Sequence, residues 1–553
     1  MTVTKVDLPY EKPEPWYYLW HLISLGVIDA DISAGLGSPT ITDTVWDKLK
    51  TKYPSAAPHP ATVALIDVGV SRNHPNLKGR IDDRSIDLVT HRYGARSNPN
   101  SAGPSYDAET SFAFFSDLDL TGLNLDLSAI VSAADAQDWF DKLVGELKSS
   151  KGVIRNLIDT DDVFGTHGTS IAGLVVGEPA LTASATTANL IDKTVGITPS
   201  QSTGVIPYFG VDPLSKLISI RSSFEPDPAH FIAAFLYAWK CKADVILLPR
   251  GIPDTTQKRA MKLTAEVDDK NQIYLPKNAE RANLFERFNI KIGEEELDIK
   301  SPAPIANPDL GWDVLAALLV AISKEIPIVC AAGNDGESQL IYPANLADPS
   351  NGIIAVGAVT AKGYRSGYSN YGEHLTLVAP SDDGEVYNRH QLRIDRSNPM
   401  VGLHAYMADP DKVIPYSPLS LSTTDLPGTF GYAEGADPLA SVFSPLPGAD
   451  DGIGGYYAPF GGTSGASALV AGVAALVARA HKMEQNSQHA RLSGLDIKKK
   501  LVNASSTNRA VLSGGTTLTR DRMNADNEFD LLGHDAKFWF GAGLPDAWDA
   551  VND

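Results

Sequence analysis

The chain has 553 residues and a formal net charge of −20, from 47 Lys and Arg against 67 Asp and Glu. Acidic residues occur throughout and no basic patch with interleaved aromatic residues is present, so nucleic acid is not an expected partner. No apolar run reaches the roughly eighteen residues of a membrane span, and residues 1–16 lack the apolar core of a signal peptide.

The two cysteines, Cys241 and Cys330, lie in apolar contexts. This placement predicts buried thiols and not a disulfide. Together with the absence of a visible signal peptide, it favours a cytoplasmic protein. A secreted chain trimmed of its leader would have the same composition, so that alternative stays open.

The first strong element in chain order is a short buried strand at residues 63–66, which ends at Asp67 before Gly69. A carboxylate at the end of a buried strand is costly unless it has a partner, and an imidazole N–H is a suitable one. The alternative is an aspartate that only caps a turn.

A helix is predicted at residues 133–149, and the next informative stretch is Gly-Thr-His-Gly-Thr around His167. The small apolar residues that follow His167 predict a buried helix. Histidine titrates near neutral pH and can therefore take and return a proton. Since the chain has 12 histidines, an ordinary core or surface histidine is the alternative.

Strands and helices then alternate along the chain. The pattern predicts helices at 231–240 and 314–323, and strands at 216–220, 245–248, 326–330, 353–359 and 375–380. Alternation of this kind indicates a parallel sheet that is covered on both faces. The expected fold class is α/β, with a doubly wound, mostly parallel sheet, helices on both faces and large loop insertions.

The strongest stretch is Gly-Gly-Thr-Ser, which ends at Ser464 and leads into an apolar run at 466–480. This run predicts a buried helix that is entered through a glycine turn. A serine at such a place lies near unpaired N–H groups and the positive end of the helix dipole, which can stabilise an oxyanion. A serine needs an adjacent base to act as a nucleophile, and a simple helix N-cap is the alternative.

Together these stretches resemble the subtilisin family of serine peptidases, whose chain order is Asp, His, Ser. His167 begins a match to the family's H-G-T-x-x-A-G pattern, and Ser464 lies in G-T-S-x-A. Residues 71–77 resemble the turn after the family's aspartate, and residues 330–336 resemble its A-A-G-N segment. The resemblance implies a serine endopeptidase in which Ser464 attacks, His167 is the base and Asp67 orients it. Asn334 would bind the oxyanion beside the Ser464 N–H.

The resemblance also implies one catalytic domain at residues 59–553, on which an N-terminal extension at 1–58 packs. The excess length would lie in insertions near 82–160, 252–308 and 388–455. Because loops at the rim of a cleft commonly control access, we expect the second and third insertions to restrict which substrates reach Ser464.

The implied partner is a peptide or protein substrate held between two wall segments. One wall is Pro-Arg-Gly at 249–251, where the family has Ser-x-Gly. Gly251 is kept for pairing with substrate backbone, and Arg250 is expected to project toward the cleft and favour an acidic side chain. Ile341 aligns with a position in the pocket for the residue before the scissile bond, and it predicts small or medium apolar side chains there. The other wall residues are Ala331, Ala332 and Gly333.

This chemistry requires no cofactor, and no cluster of residues suggests zinc. Calcium is common in the family, so a structural calcium ion is an option, with Asp117, Asp119 and Asp161 as candidate ligands. The run that starts at Asp117 begins like a calcium loop but has Ser128 where a bidentate glutamate would be needed. Solvated acidic loops are the alternative.

Two other functions stay open from the sequence. One is a peptide-processing acyl transferase or macrocyclase of the same family, in which an amine replaces water. The other is a catalytically silent member that only binds peptides, although the intact Asp, His, Ser and Asn set argues against it. The sequence does not indicate the oligomeric state.

Overall fold

The computed structural model describes residues 19–31, 40–72, 74, 76–88, 114–149, 155–156, 166–178, 208–222, 227–253, 308–336, 338–361, 363–382, 421–425, 457–511, 518 and 534–553. Within them the helices are α1 (Trp20–Ser24), α2 (Val45–Lys52), α3 (Ala133–Ser149), α4 (Thr166–Val176), α5 (Pro228–Lys240), α6 (Pro308–Glu325), α7 (Gly462–Glu484), α8 (Gly494–Asn503), α9 (Ala536–Phe540) and α10 (Ala547–Asn552).

The strands of the same residues are β1 (Ile28–Asp31), β2 (Thr40–Thr44), β3 (Thr62–Asp67), β4 (Ile86–Asp87), β5 (Arg155–Asn156), β6 (Lys216–Arg221), β7 (Val245–Leu248), β8 (Ile328–Ala331), β9 (Ile353–Val359), β10 (Leu377–Pro380), β11 (Leu421–Thr424), β12 (Tyr457–Phe460), β13 (Ser505–Ser506) and β14 (Leu544–Pro545). Eight of them form one sheet in the order β10-β9-β8-β7-β3-β6-β4-β5. Its neighbours run parallel, except that β5 is antiparallel to β4 at one edge.

The inner strands are short runs of Val, Ile, Leu and Ala that are buried along their whole length. Such continuous apolar runs are typical of strands covered on both faces. The predicted α/β class with a doubly wound, mostly parallel sheet is therefore confirmed.

The chain changes direction across the sheet at β3. From β3 the chain passes through β4, β5 and α4 to β6 on one side, and the connection through α5 leads back past β3 to β7 on the other. Because parallel crossovers are right-handed, these opposite directions place α4 and α5 on opposite faces. Ligands of open α/β sheets bind at the carboxyl ends of the strands beside such a switch point, and Asp67 is the last residue of β3.

The segment before β3 packs on the sheet domain. Within α2, the Trp46 indole donates a hydrogen bond to the carbonyl of Val211 at 3.0 Å. Near α1, the carbonyl of Leu25 accepts from the Ala547 N–H at the start of α10, at 2.7 Å. Residues 19–31 and 40–58 therefore contact both the segment before β6 and the C-terminal helix α10, while the domain division at residue 58 stays a prediction.

The longest described helix, α7, is the core helix of one face. It is long and apolar enough to span a membrane, but 94% of its most apolar window is buried inside the fold. Two buried ion pairs hold its C-terminal half. Arg479 meets Asp212 at 2.9 Å, and Lys482 meets Asp244 at 2.6 Å.

Predicted elements agree with the structure best where the hydrophobic pattern is long. The helix predicted at 133–149 is α3 with the same bounds, whereas those predicted at 314–323 and 466–480 extend further at both ends as α6 and α7. The insertions predicted near 252–308 and 388–455 lie mostly outside the described residues, whereas the one predicted near 82–160 is described at 82–88, 114–149 and 155–156.

Candidate active site

The residues predicted to carry chemistry lie along the carboxyl edge of the sheet. Asp67 ends β3 and pairs in register with Arg221 of β6. On the other side, Leu248 at the end of β7 is level with Cys330 of β8. The segments that follow β7 and β8 carry Gly251 and Asn334, so four strand ends contribute to one edge.

Asp67 and His167 form a direct hydrogen bond. Nδ1 of His167 lies 2.7 Å from Oδ2 of Asp67, and Oδ1 of the same carboxylate accepts the N–H of Val68 at 2.7 Å. The aspartate side chain is 1% exposed, whereas the imidazole is 26% exposed. A buried carboxylate therefore fixes the ring orientation, and the imidazole keeps access to the cleft.

Close backbone approach sets the position of the histidine. A Cβ placed on Gly168 would lie 2.0 Å from the carbonyl oxygen of Gly69, which leaves room only for glycine at this site. The next turn of α4 is held by β11, where the Thr424 hydroxyl donates to the carbonyl of Thr169 at 2.7 Å. The helix that carries His167 is thus fixed directly against the turn after Asp67.

Ser464 lies in the first turn of α7, which begins at Gly462. Gly462 has φ +74°, a left-handed conformation that favours glycine. The hydroxyl of Ser464 donates to the carbonyl oxygen of Pro249 at 2.7 Å, so it is held at the end of β7. The ring of Phe460, four residues earlier, lies 5.6 Å from that of His167, which places the α7 turn beside the imidazole.

The side chain of Asn334 is oriented by Thr463. Its Oδ1 accepts from both the N–H and the hydroxyl of Thr463, at 2.9 and 2.8 Å. Because a backbone N–H can only donate, the oxygen of the amide must face Thr463. The Nδ2 group is therefore the part of Asn334 that can donate to a substrate carbonyl.

Ile341 lies between the two wall segments that the sequence predicted. A Cβ on Gly251 would lie 3.1 Å from Cδ1 of Ile341, and a Cβ on Gly333 would lie 2.7 Å from its Cγ2. The Ile341 N–H donates to the carbonyl of Ala332 at 3.0 Å, which ties this residue to the second wall. Ala331 is buried at the end of β8. The isoleucine thus fills the space where the two segments approach each other.

The placement of Arg250 differs from the expectation that it projects toward the cleft. Its side chain is buried, donates to the Ser222 hydroxyl and packs over the ring of Phe231 at 5.9 Å. Burial lowers the pKa of Arg250 to about 10, and attraction to the Asp67 carboxylate opposes this shift. The guanidinium stays inside because its hydroxyl, aromatic and carboxylate neighbours are there.

The candidate calcium ligands have protein partners where they are described. Asp117 meets Lys240 at 2.8 Å, and this hydrogen bond lowers the pKa of Asp117. Oδ1 of Asp119 accepts from the Thr121 N–H at 2.9 Å. Asp161 lies outside the described residues, among which no group of three His, Cys, Asp or Glu is placed to hold a metal ion together.

The sequence did not reveal the side chains that hold α4 and the turn before Ser464 in place. The hydroxyls of Thr423 and Thr424 bind α4, and Tyr368 binds the turn before Ser464. Their local sequences carry no signal for these roles, because the contacts join residues 94 to 255 positions apart. The arrangement brings a serine hydroxyl, an imidazole oriented by a carboxylate and an amide donor to one edge of the sheet, which are the kinds of group that acyl transfer requires.

Comparisons with known proteins agree with this geometry. The model of the subtilase family matches residues 59–532. Over 84 residues the chain is 36% identical to Subtilisin BL of Lederbergia lenta, an alignment that covers 15% of this chain and 28% of that protein. Over 81 residues it is 42% identical to an extracellular serine proteinase of a Thermus strain, covering 14% and 19%.

The curated matches thus span under a third of the relatives' own length. Among solved structures, the chain is similar to the epidermin leader peptide processing serine protease of Staphylococcus aureus. That similarity has a TM-score of 0.42 and 14% identity, and it covers 91% of this chain and 77% of the other.

Proposed function

The chain belongs to the subtilase family, and we propose that it is a serine endopeptidase that cleaves peptide bonds through an acyl-enzyme on Ser464. The proposal rests on the 2.7 Å contact between Nδ1 of His167 and Oδ2 of Asp67. This contact lies at the edge of the sheet where α7, the helix that carries Ser464, begins. A buried acid that orients an imidazole beside a helix-start serine is the arrangement that activates a hydroxyl.

In the first half of the reaction, the Ser464 hydroxyl turns from the Pro249 carbonyl toward Nε2 of His167. Its oxygen forms a bond to the peptide carbonyl carbon, and its proton passes to Nε2. Asp67 accepts the Nδ1–H and stabilises the imidazolium. The carbon–nitrogen bond then breaks, and the amine leaves with the proton from Nε2.

The oxyanion that forms on the substrate carbonyl accepts hydrogen bonds from Asn334 Nδ2 and from the Ser464 N–H. Each such donor lowers the barrier by about 3 kcal/mol. In the second half a water molecule gives a proton to His167 as its oxygen bonds to the acyl carbon; the ester bond to Ser464 then breaks, and His167 passes the proton to the serine oxygen as the acid leaves. The same groups therefore serve both halves.

The substrate binds as an extended peptide along Gly251, where main-chain hydrogen bonds supply affinity without sequence preference. The side chain before the scissile bond then enters the space between Gly251 and Gly333. Because Ile341 occupies the inner part of that space, small and medium apolar side chains fit best. The substrate class that we propose is therefore peptides and proteins with such residues before the cleaved bond.

A fluorophosphonate probe tests the proposed activity, since it phosphylates only an activated serine. We expect labelling at Ser464 that is lost on heating and in the Ser464→Ala variant. A folded wild-type chain that takes up no probe would contradict the proposal. Mass analysis of the products separates hydrolysis from transfer to an amine.

Cleavage of a proteome-derived peptide library tests the proposed pocket. In wild type we expect Ala, Val and similar residues before the cleaved bond, and in Ile341→Gly a shift toward Leu, Met and Phe. One extra methylene in an apolar pocket is worth about 10- to 200-fold in discrimination. A wild-type profile dominated by large aromatic or basic residues would refute the specificity while leaving the peptidase activity established.

A further inference from the structure

Three buried side chains lie behind the turn that leads into α7. They are Tyr368, Ser381 and Asp382, which we call the support cluster. They are 1%, 0% and 5% exposed. Tyr368 directly precedes the sequence Ser-Asn-Tyr-Gly at residues 369–372, and the other two directly follow β10. None of them is part of the Asp67, His167 and Ser464 set.

The support cluster binds both backbone groups of Gly462. The Gly462 N–H donates to the hydroxyl of Tyr368 at 2.9 Å, and its carbonyl accepts from the hydroxyl of Ser381 at 3.0 Å. The two hydroxyl oxygens are 2.9 Å apart. Both peptide groups that flank Gly462 are therefore hydrogen-bonded to buried side chains.

Asp382 completes the cluster from the other side of the turn. Its Oδ1 accepts from the Tyr368 hydroxyl at 3.0 Å. A Cβ placed on Gly461 would lie 2.0 Å from the same oxygen, so the carboxylate packs directly against the Gly461 backbone. Because the Gly462 N–H can only donate, the tyrosine hydroxyl accepts it through a lone pair and gives its own proton to an oxygen of Asp382, the side-chain Oδ1 or the main-chain carbonyl, each at 3.0 Å.

Gly462 stands two residues before Ser464, in a first turn without a side-chain N-cap bond. The direction of the Ser464 N–H, which binds the oxyanion in the proposed reaction, is set by the peptide groups just before it. Rotation of the Gly462 peptide would turn that N–H, and would also move Thr463, to which Asn334 is bound. Oxyanion stabilisation depends strongly on such preorganised geometry.

We propose that Tyr368 is a positioning residue for the oxyanion site, acting through its hydrogen bond to the Gly462 N–H. This inference rests on the proposed peptidase function. Tyr368 touches no substrate; it holds the turn in the conformation that directs the Ser464 N–H and the Asn334 amide at the same point. Removal of its hydroxyl should therefore weaken the transition state more than substrate binding.

The test is Tyr368→Phe, which keeps the ring and removes only the hydroxyl. We expect kcat to fall about tenfold with KM unchanged, the change that loss of a transition-state interaction produces. Active-site titration with the fluorophosphonate corrects each rate for the fraction of folded enzyme. Ser381→Ala, which frees the Gly462 carbonyl and removes the hydroxyl next to that of Tyr368, should lower kcat in the same way by a smaller factor.

The matched control is Tyr237→Phe. The Tyr237 hydroxyl is also buried and donates to a main-chain carbonyl, that of Arg84, at 2.7 Å, but it belongs to α5 and not to the α7 turn. Its removal should lower stability and leave the titrated kcat unchanged.

A titrated kcat of Tyr368→Phe equal to that of wild type would overturn the inference, and so would an equal fall in Tyr237→Phe. If Tyr368→Phe does not fold, an unchanged kcat in Ser381→Ala overturns it instead. These results differ from failure of the proposed function, in which the wild-type chain itself neither takes up the probe nor cleaves peptides.

Discussion

At the start of α7 the side chains that bind the buried first-turn N–H groups, Tyr368 and Asn334, are uncharged. In the C-terminal half of the same helix the buried polar groups are ion pairs, Arg479 with Asp212 and Lys482 with Asp244. The partners that bind these N–H groups directly are neutral, and the Asp382 carboxylate behind the turn reaches the Gly462 N–H only through the Tyr368 hydroxyl. Buried ion pairs attach the helix only while both partners are present, because loss of one partner leaves the other charge buried and uncompensated.

The difference suggests a division of labour along one helix. The first turn supplies geometry for chemistry, and the far half supplies attachment to β6, β7 and their preceding loops. Substitutions in the first turn should then change rates more than stability, and substitutions in the far half should do the reverse. Four experiments test whether the two halves of α7 differ in this way.

The largest expected effect is that of Ser464→Ala at the catalytic end. Loss of the nucleophile should lower kcat by about 10⁶-fold, as for other catalytic serines that act together with a histidine and an aspartate. Stability should stay within about 0.5 kcal/mol of wild type, since the residue is only half-buried. Peptide hydrolysis and urea unfolding measure the two quantities. A large loss of stability would remove the contrast between the two ends.

At the far end, Arg479→Met should destabilise the protein by about 3–5 kcal/mol, because it leaves the fully buried Asp212 carboxylate without its cation. Ser215 still donates to that carboxylate at 2.5 Å, which limits the loss. The kcat per titrated active site should not change. The double variant Arg479→Met with Asp212→Asn is the control, and it should recover part of the stability measured by urea unfolding.

Asn334→Ala returns to the catalytic end and removes one oxyanion donor. We expect kcat to fall by about 10²- to 10³-fold, with KM nearly constant. Thr463→Val, which removes only the hydroxyl that orients the amide, should give a smaller fall of about tenfold. Steady-state kinetics on one peptide substrate compare the two. Equal effects on KM and kcat would indicate a general distortion of the site.

The smallest expected effect concerns Lys498, which lies on α8, a helix that packs against α7. The ammonium group of Lys498 donates to the carbonyls of Asp348, Asn351 and Ile353. Burial lowers the pKa of Lys498 from 10.5 to about 8, and the Asp348 carboxylate opposes this shift. Between these values the unfolded chain binds more protons than the folded chain, so stability rises with pH.

Relative to Lys498→Met, the wild-type free energy of unfolding should rise between pH 8 and pH 10.5 by about 2–3 kcal/mol. Urea unfolding of both proteins across this range measures the difference, in which titrations common to both cancel. A difference that does not vary with pH would show that Lys498 keeps its proton in both states.

The candidate catalytic groups could be proposed from the sequence because each lies in a short local pattern that the chemistry itself requires. Glycine beside His167 is needed for the approach to Gly69, and glycine before Ser464 is needed for a positive φ. The strands and helices between them could be found because their hydrophobic runs are continuous. These features depend on neighbouring residues, and neighbours are what a sequence displays.

The remaining features depend on distant partners. The direction of Arg250 is set by Ser222 and Phe231, and nothing in Pro-Arg-Gly reveals it. The role of Tyr368 depends on Gly462, 94 positions away. Strand β11 has the polar sequence Leu-Ser-Thr-Thr, which shows no apolar alternation, and its two threonines are buried with their hydroxyls bound to carbonyls of α4.

The buried thiols of Cys241 and Cys330 can be used to detect transient opening of the fold. Cys330 lies on a central strand with no exposed surface, and Cys241 is almost covered at the end of α5. Burial raises the pKa of both, which suppresses the reactive thiolate. A maleimide should therefore modify the intact protein very slowly, at rates that follow transient exposure of the sheet. The order in which Cys241 and Cys330 react would show whether the end of α5 or the central strands become exposed first.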